Sequence, residues 1–103
     1  MAVFFAEHAG PAASTAVLAT PGRRVRIRRL LISTGTSGAV RIKGNPGPSE
    51  QALLPPLFVR AGGPALDADF VREFPQTEPD QSLGYTSDID GPHSIWLEYD
   101  LVA

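Results

Sequence analysis

Glycine and proline interrupt this 103-residue chain at intervals that suit β-strands and leave little room for a long helix. Ten residues are glycine and ten are proline, about a fifth of the chain against a background of roughly 12%. Between these breaks apolar residues often alternate with polar ones, as in a strand with one buried face. The pattern predicts an all-β protein.

Seven or eight short strands fit between the breaks. We expect them at residues 3–8, 15–19, 24–33, 39–43, 57–60, 65–70, 83–86 and 93–102. One helical turn is predicted at residues 49–54, capped by Ser49 and stopped by the prolines that follow. Many short strands with regular turns are typical of an antiparallel β-sandwich, here jelly-roll-like and forming a single domain over residues 1–103.

The strand predicted at residues 24–33 carries a basic face. Val25 and Ile27 point to one face of the strand, and Arg24, Arg26 and Arg28 point to the other. Arg29 breaks the alternation, which indicates either a bulge or a strand that becomes buried on both faces. A Ser/Gly turn follows, so this strand and residues 39–43 are predicted to form a hairpin with one buried and one basic face.

Opposite charges collect in the two parts of the chain. Residues 1–60 have a net charge of +6 and residues 61–103 a net charge of −8, which the total of −2 conceals. Five arginines fall within residues 23–29. Such polarity favours charge pairing, either between strands of one subunit or between copies.

The last predicted strand presents an unusual polar face with Trp96, Glu98 and Asp100. Tryptophan and arginine are the residues most enriched at interface hot spots, and an arginine over the indole would add a cation–π contact. The candidate subunit or partner interface is therefore Arg24, Arg26, Arg28, Trp96, Glu98 and Asp100. The alternative is that both faces are solvated and pair weakly within one subunit. A contact between different patches on different copies would close into a ring.

The sequence offers no catalytic, metal or cofactor site. Cysteine is absent, and His8 and His93 have no partners at ligand spacing, so surface or turn positions are expected for both. No nucleophile, phosphate-binding or dinucleotide motif is present. We therefore expect a protein that is not an enzyme and that uses no cofactor.

Nucleic-acid and membrane roles are also disfavoured. The chain is acidic overall, with a pI near 5.5, and no aromatic residues alternate with the clustered arginines. No apolar run approaches the length of a membrane span, and the first residues lack the features of a signal peptide.

From Gly22 onward, several short segments follow one another in a recognisable order. They are Gly22-Arg-Arg-Val-Arg-Ile, Gly38-Ala-Val-Arg-Ile-Lys-Gly44, Leu54-Pro-Pro-Leu57, Ala61-Gly-Gly, Asp80-Gln-Ser-Leu83 and the final apolar strand. In this order they resemble a family of small phage-encoded β-sandwich proteins found among virion structural genes. The arginine-dense strand departs from that family, whose members carry few charges.

The resemblance implies a non-enzymatic virion role, either capsid decoration or the base of a head spike or fibre. Arginine outnumbers lysine eight to one, which suits a high-GC bacterium and hence a gene transfer agent. The implied partners are other copies in a five-fold or three-fold ring and a capsid or spike-fibre protein. The expected location is the outer surface of a virion made in the bacterial cytoplasm.

The competing prediction is a small carbohydrate-binding module that stacks sugars on Trp96, Tyr85 and Tyr99. Alternation along the last strand places Tyr99 on the face opposite Trp96. That placement argues against one flat aromatic platform.

Overall fold

A computed structural model describes residues 1–45, 50–62 and 66–103, and every regular element in these ranges is a β-strand. In chain order the strands are β1 (Ala2–His8), β2 (Ala12–Val17), β3 (Arg24–Thr34), β4 (Gly38–Gly44), β5 (Gln51–Ala52), β6 (Leu57–Val59), β7 (Leu66–Asp69), β8 (Leu83–Ser87) and β9 (His93–Val102). The described ranges hold no helix that could span a bilayer.

The strands form two antiparallel sheets that enclose a shared core. The front sheet has the order β1-β9-β3-β7, and the back sheet has the order β2-β8-β4-β5 with β6 also paired with β4. Because β5 and β6 pair with opposite ends of β4, they complete one edge of the back sheet together. The chain repeatedly passes between sheets, and its first strand pairs with its last, as in a jelly roll. The predicted antiparallel sandwich is confirmed.

Alternate side chains of both sheets fill the space between them. The front sheet contributes Val25, Ile27, Leu30 and Ile32 from β3, all at most 1% exposed. The back sheet contributes Val40, Ile42, Leu83 and Tyr85, which are equally buried. Burying one such leucine or isoleucine contributes about 1.5–3 kcal/mol. The position of these apolar residues therefore decides which side of each strand faces outward.

A β-bulge at Arg28 resolves the irregular alternation of β3. Ile27 pairs with Tyr99, and the next pair joins Arg29 to Glu98, so Arg28 is an extra residue on β3. A bulge shifts the parity of the residues that follow it. Leu30 can therefore point inward just as Ile27 does.

The predicted hairpin between β3 and β4 is wrong. β3 pairs with β9 and β7 in the front sheet, whereas β4 pairs with β8, β5 and β6 in the back sheet. Residues 35–37 thus carry the chain across the sandwich. Two strands that face each other across a core alternate just as two neighbours in one sheet do, so the pattern does not distinguish them.

The predicted helical turn at residues 49–54 is also wrong where it is described. Gln51 and Ala52 form β5, because the backbone of β4 at Lys43 and Gly44 offers them an edge to pair with. The predicted cap Ser49, the loop at 46–48 and residues 63–65 lie outside the described residues. β2 begins before the predicted strand 15–19 and ends earlier.

An irregular segment after β7 covers the rest of the β3 edge. The amide of Phe70 donates to the carbonyl of Arg28, and farther along the amide of Ile27 donates to the carbonyl of Pro75. Thr77 is fully buried, and its Oγ1 accepts the amide of Val25 at 2.9 Å. These bonds leave little of the β3 edge open beyond the short β7.

Candidate interaction surface

All six residues of the predicted interface lie on the outward side of the front sheet. β3 and β9 are neighbours, and their inward sides are filled by the apolar core. In the register of the two strands, Arg26 is opposite Asp100 and Leu31 is opposite Trp96. The basic and acidic faces predicted from the sequence are therefore two adjacent strips of one surface.

The two strips pair with each other inside one subunit. Arg28 Nε donates to Asp100 Oδ2 at 2.5 Å, and this bond holds the pKa of Asp100 below its usual range. On the other side of β3, Arg29 donates through Nε and Nη2 to both carboxylate oxygens of Asp67 on β7, at 3.0 and 2.9 Å. That bond lowers the pKa of Asp67 and raises the pKa of Arg29. Arg29 Nη1 also lies 3.6 Å from Glu98 Oε2.

The arginines stack on Phe74 rather than on the indole of Trp96. The guanidinium carbon of Arg28 lies 4.6 Å from the centre of the Phe74 ring, and that of Arg26 lies 5.4 Å from it. Phe74 belongs to the irregular segment beside β3, which brings it over the arginines. Two further contacts to this segment are Arg24 to Glu78 at 3.5 Å and Arg26 to Gln76 at 3.2 Å.

An apolar row crosses the same outer surface. We define the apolar row as Val3, Phe5, Trp96 and Leu31, from β1, β9 and β3. Val3 is 49% exposed, Phe5 51% and Trp96 37%. Phe5 is opposite Trp96 in the register, and their ring centres lie 6.1 Å apart in an edge-to-face arrangement. The indole N–H of Trp96 donates to Glu98 Oε2 at 3.0 Å, which attaches the row to the charged strips.

Sequence reasoning missed Val3 and Phe5. Their alternation with Phe4 and Ala6 was visible, but each side of β1 carries a phenylalanine. The pattern therefore gave no means of deciding which side is outward. The contact of Phe4 with Tyr85, with ring centres 6.0 Å apart, places Phe4 on the inward side.

A polar cluster lies between the sheets at the end of the sandwich where β1 finishes. His93 is 5% exposed, so the prediction of a surface position is wrong for this residue, although its ring contacts Gly91 in the connection before β9. Its ring centre lies 5.3 Å from that of His8. His8 Nε2 is 2.5 Å from the hydroxyl of Tyr85, and burial together with the His93 imidazole lowers the pKa of His8.

His93 and Ser87 form a contact of the kind that activates serine nucleophiles. The Nδ1 atom of His93 lies 2.9 Å from the carbonyl oxygen of Gly91, so Nδ1 carries the hydrogen. In the neutral ring Nε2 then accepts from Ser87 Oγ at 2.8 Å. Ser87 is only 6% exposed. Because both side chains are buried, this hydrogen bond gives each of them a polar partner inside the protein.

An open depression of about 580 Å³ lies beside this cluster. Its lining includes Glu7, His8, Ser33, Thr34, His93 and Ser94. Within residues 1–45, 50–62 and 66–103, no group of three or more histidine, aspartate or glutamate side chains is arranged to hold a metal ion.

The aromatic residues of the competing carbohydrate prediction do not share a surface. Tyr85 is 1% exposed in the core, and Tyr99 is a partly buried residue packed against that core. Phe5 and Trp96 are exposed together, but their ring planes are inclined at 61°. They do not form a flat platform.

Comparison with known proteins does not assign this chain to a family. No protein-family model matches the chain, and a search of curated proteins finds no match.

Proposed function

We propose that this chain is a non-enzymatic structural protein of a phage or gene-transfer-agent virion. In this role it forms a homo-oligomeric head decoration or the base of a head spike or fibre. The observation that carries the proposal is the apolar row on the outer surface of the front sheet, where Val3, Phe5 and Trp96 are exposed side by side.

A contiguous group of large exposed apolar side chains is characteristic of protein interfaces. Aromatic residues at the centre of a contact supply most of its energy when they lose water. The ion pairs beside the row resemble the polar rim of such a contact. Since Arg28 and Asp100 already pair within the subunit, attraction between strips of different copies adds less than burial of the row.

The class of the proposal comes from the sequence resemblance and is compatible with the fold. Jelly rolls build viral capsid domains and also lectins. Fold alone does not decide between such functions. The inclined rings of Phe5 and Trp96 and the inward positions of Tyr85 and Tyr99 favour a protein partner over a sugar.

The oligomeric state tests the surface. Native mass spectrometry and light scattering of the wild-type chain should give a homo-oligomer, with five copies for a vertex base and three for a fibre. Trp96→Ala and Arg26→Glu should each shift the mass toward the monomer. Phe58→Ala is the matched control, because Phe58 is 76% exposed on the back sheet and should not matter. An unchanged oligomer in both test variants contradicts the proposed surface.

Particle composition tests the role. Antibodies against the chain should label the outside of particles released by the source bacterium, and the flanking genes should encode capsid, portal or tail proteins. A chain that stays in the cytosol and never sediments with particles contradicts a virion role. Binding of a defined sugar on a glycan array would support the carbohydrate alternative instead.

A further inference from the structure

Most sheet edges in the described part of the molecule are protected against pairing with another strand. β7 is four residues long and carries Asp67 and Asp69. β5 and β6, which share one edge of the back sheet, are two and three residues long. β2 contains a register shift between Thr15 and Val17. Short strands, charges and bulges are the devices by which proteins keep edges from pairing.

β1 has none of these protections over most of its length. It pairs with β9 residue by residue from Ala2 to His8 without a register shift. It contains no proline, and its only acidic or basic side chain apart from the terminal His8 is Glu7. Within the described residues, no strand pairs with the side of β1 that faces away from β9. The backbone N–H and C=O groups on that side therefore form a row of unpaired donors and acceptors.

We propose that β1 is a docking edge for a second copy of this chain. The β1 strands of two copies pair antiparallel about a two-fold axis perpendicular to the sheet. The two four-stranded front sheets then become one continuous sheet. A second copy suits this edge because the other described edges are protected. The unprotected strand that another molecule of this chain offers to β1 is therefore its own β1.

The sequence of β1 suits pairing with itself in one register. With Val3 of one copy opposite Phe5 of the other, one apolar pair lies on the outward face at each side of the two-fold axis. Cross-strand pairs of this kind contribute about 0.2–1 kcal/mol each. The two Glu7 side chains then lie at opposite ends of the paired region and do not repel each other. A shift of two residues in one direction would place Val3 opposite Glu7 and leave a single outward apolar pair, Phe5 with Phe5, whereas a shift in the other direction would shorten the paired part of β1 to residues 2–4.

Pairing in this register also joins the apolar rows of the two copies. Phe5 borders Trp96 on its own sheet, and the second copy's Val3 would border Phe5 on the other side. The β1 contact thus adjoins the outer surface of the front sheet on which the proposed function rests. It is made by the backbone of the strand edge rather than by the side chains of the sheet face. A two-fold contact closes after two copies, so it would join two rings of five or of three copies into an assembly of ten or six subunits.

Cross-linking tests the register directly, because the chain contains no cysteine. The Val3→Cys and Phe5→Cys proteins are mixed and treated with a short thiol–thiol cross-linker. The mixture should yield a heterodimer cross-link, and it should yield more than either protein alone. Leu18→Cys mixed with Phe5→Cys is the control, since Leu18 is 78% exposed but lies outside β1. Equal yields in the test and control mixtures overturn the proposal.

Sedimentation provides a second measurement. Val3→Lys changes both symmetric positions at once and should raise the dimer dissociation constant about tenfold. Leu18→Lys should leave it unchanged, and circular dichroism confirms that each variant is folded. An odd-numbered ring without the cross-link between positions 3 and 5 overturns edge pairing and leaves the virion role intact. Absence from particles together with the cross-link contradicts only the virion role.

Discussion

The Nε2 atom of His8 lies 2.5 Å from the hydroxyl oxygen of Tyr85, and this contact joins β1 of the front sheet to β8 of the back sheet. β1 therefore has a polar attachment across the sandwich in addition to its ladder with β9. The imidazole of His93 is the nearby titratable group on β9, and Glu7 precedes His8 on β1 itself.

Stability should fall in mild acid because of His8. Burial and the His93 imidazole lower the pKa of His8 in the folded protein, whereas the unfolded chain keeps a value of about 6.5. Below that pH the unfolded state binds more protons, so the free energy of unfolding decreases until the pH reaches the folded value. Urea titrations between pH 8 and pH 5 should show this loss, and His8→Gln should reduce it. An equally steep loss in His8→Gln would contradict the assignment.

Thr77→Val should destabilise the fold by about 1–3 kcal/mol, because the amide of Val25 would lose its buried acceptor. The two side chains have nearly the same shape, so the change tests the hydrogen bond rather than the packing. Thr15→Val on the exposed side of β2 is the control. Chemical denaturation measures both, and similar effects for the two substitutions would refute the role of Thr77.

Gly38→Ala should destabilise the fold by about 1–3 kcal/mol through overpacking. A methyl group there would lie 2.7 Å from Cγ1 and 3.0 Å from Cα of the buried Ile89, and the backbone atom cannot rotate away. Gly35→Ala, in the connection that precedes β4, would meet nothing within 4 Å. Thermal unfolding should separate the two variants, and equal melting temperatures would count against the close approach.

Arg28→Gln should raise the pKa of Asp100, since the bond from Arg28 is the main reason that this pKa is low. The pair stabilises the fold above the unfolded pKa of about 3.9, and this contribution is lost as the pH falls through the lower folded value. NMR titration of the carboxyl carbon measures the shift. Arg24→Gln, whose partner is Glu78, should leave Asp100 unchanged. A matching shift in both variants would exclude a specific pair.

The sequence was sufficient to predict the class of fold because both sheets are built from alternating or apolar strands between glycine and proline turns. It could not assign strands to sheets. Alternation in β3 and β4 records that each has an inward side, but it carries no information about which strand lies beside it. That information is contained in the long-range pairs, such as Leu31 with Trp96.

The candidate surface was half predictable. The parity of β3 and β9 placed the arginines and Trp96 outward correctly. The apolar half of the surface on β1 was hidden because Phe4 and Phe5 have the same character. Phe74 was hidden for another reason: it reaches the arginines from an irregular segment, where no periodicity reports the direction of a side chain.

The bulge at Arg28 gives β3 an unusual tolerance of length change. Loss of one residue from a regular strand turns every later side chain to the wrong side. Removal of Arg28 would instead restore unbroken pairing of Ile27 and Arg29 with Tyr99 and Glu98, and Leu30 would keep its inward position. Related chains one residue shorter at this point could therefore keep the same core, and alignments of such chains should place their gap there.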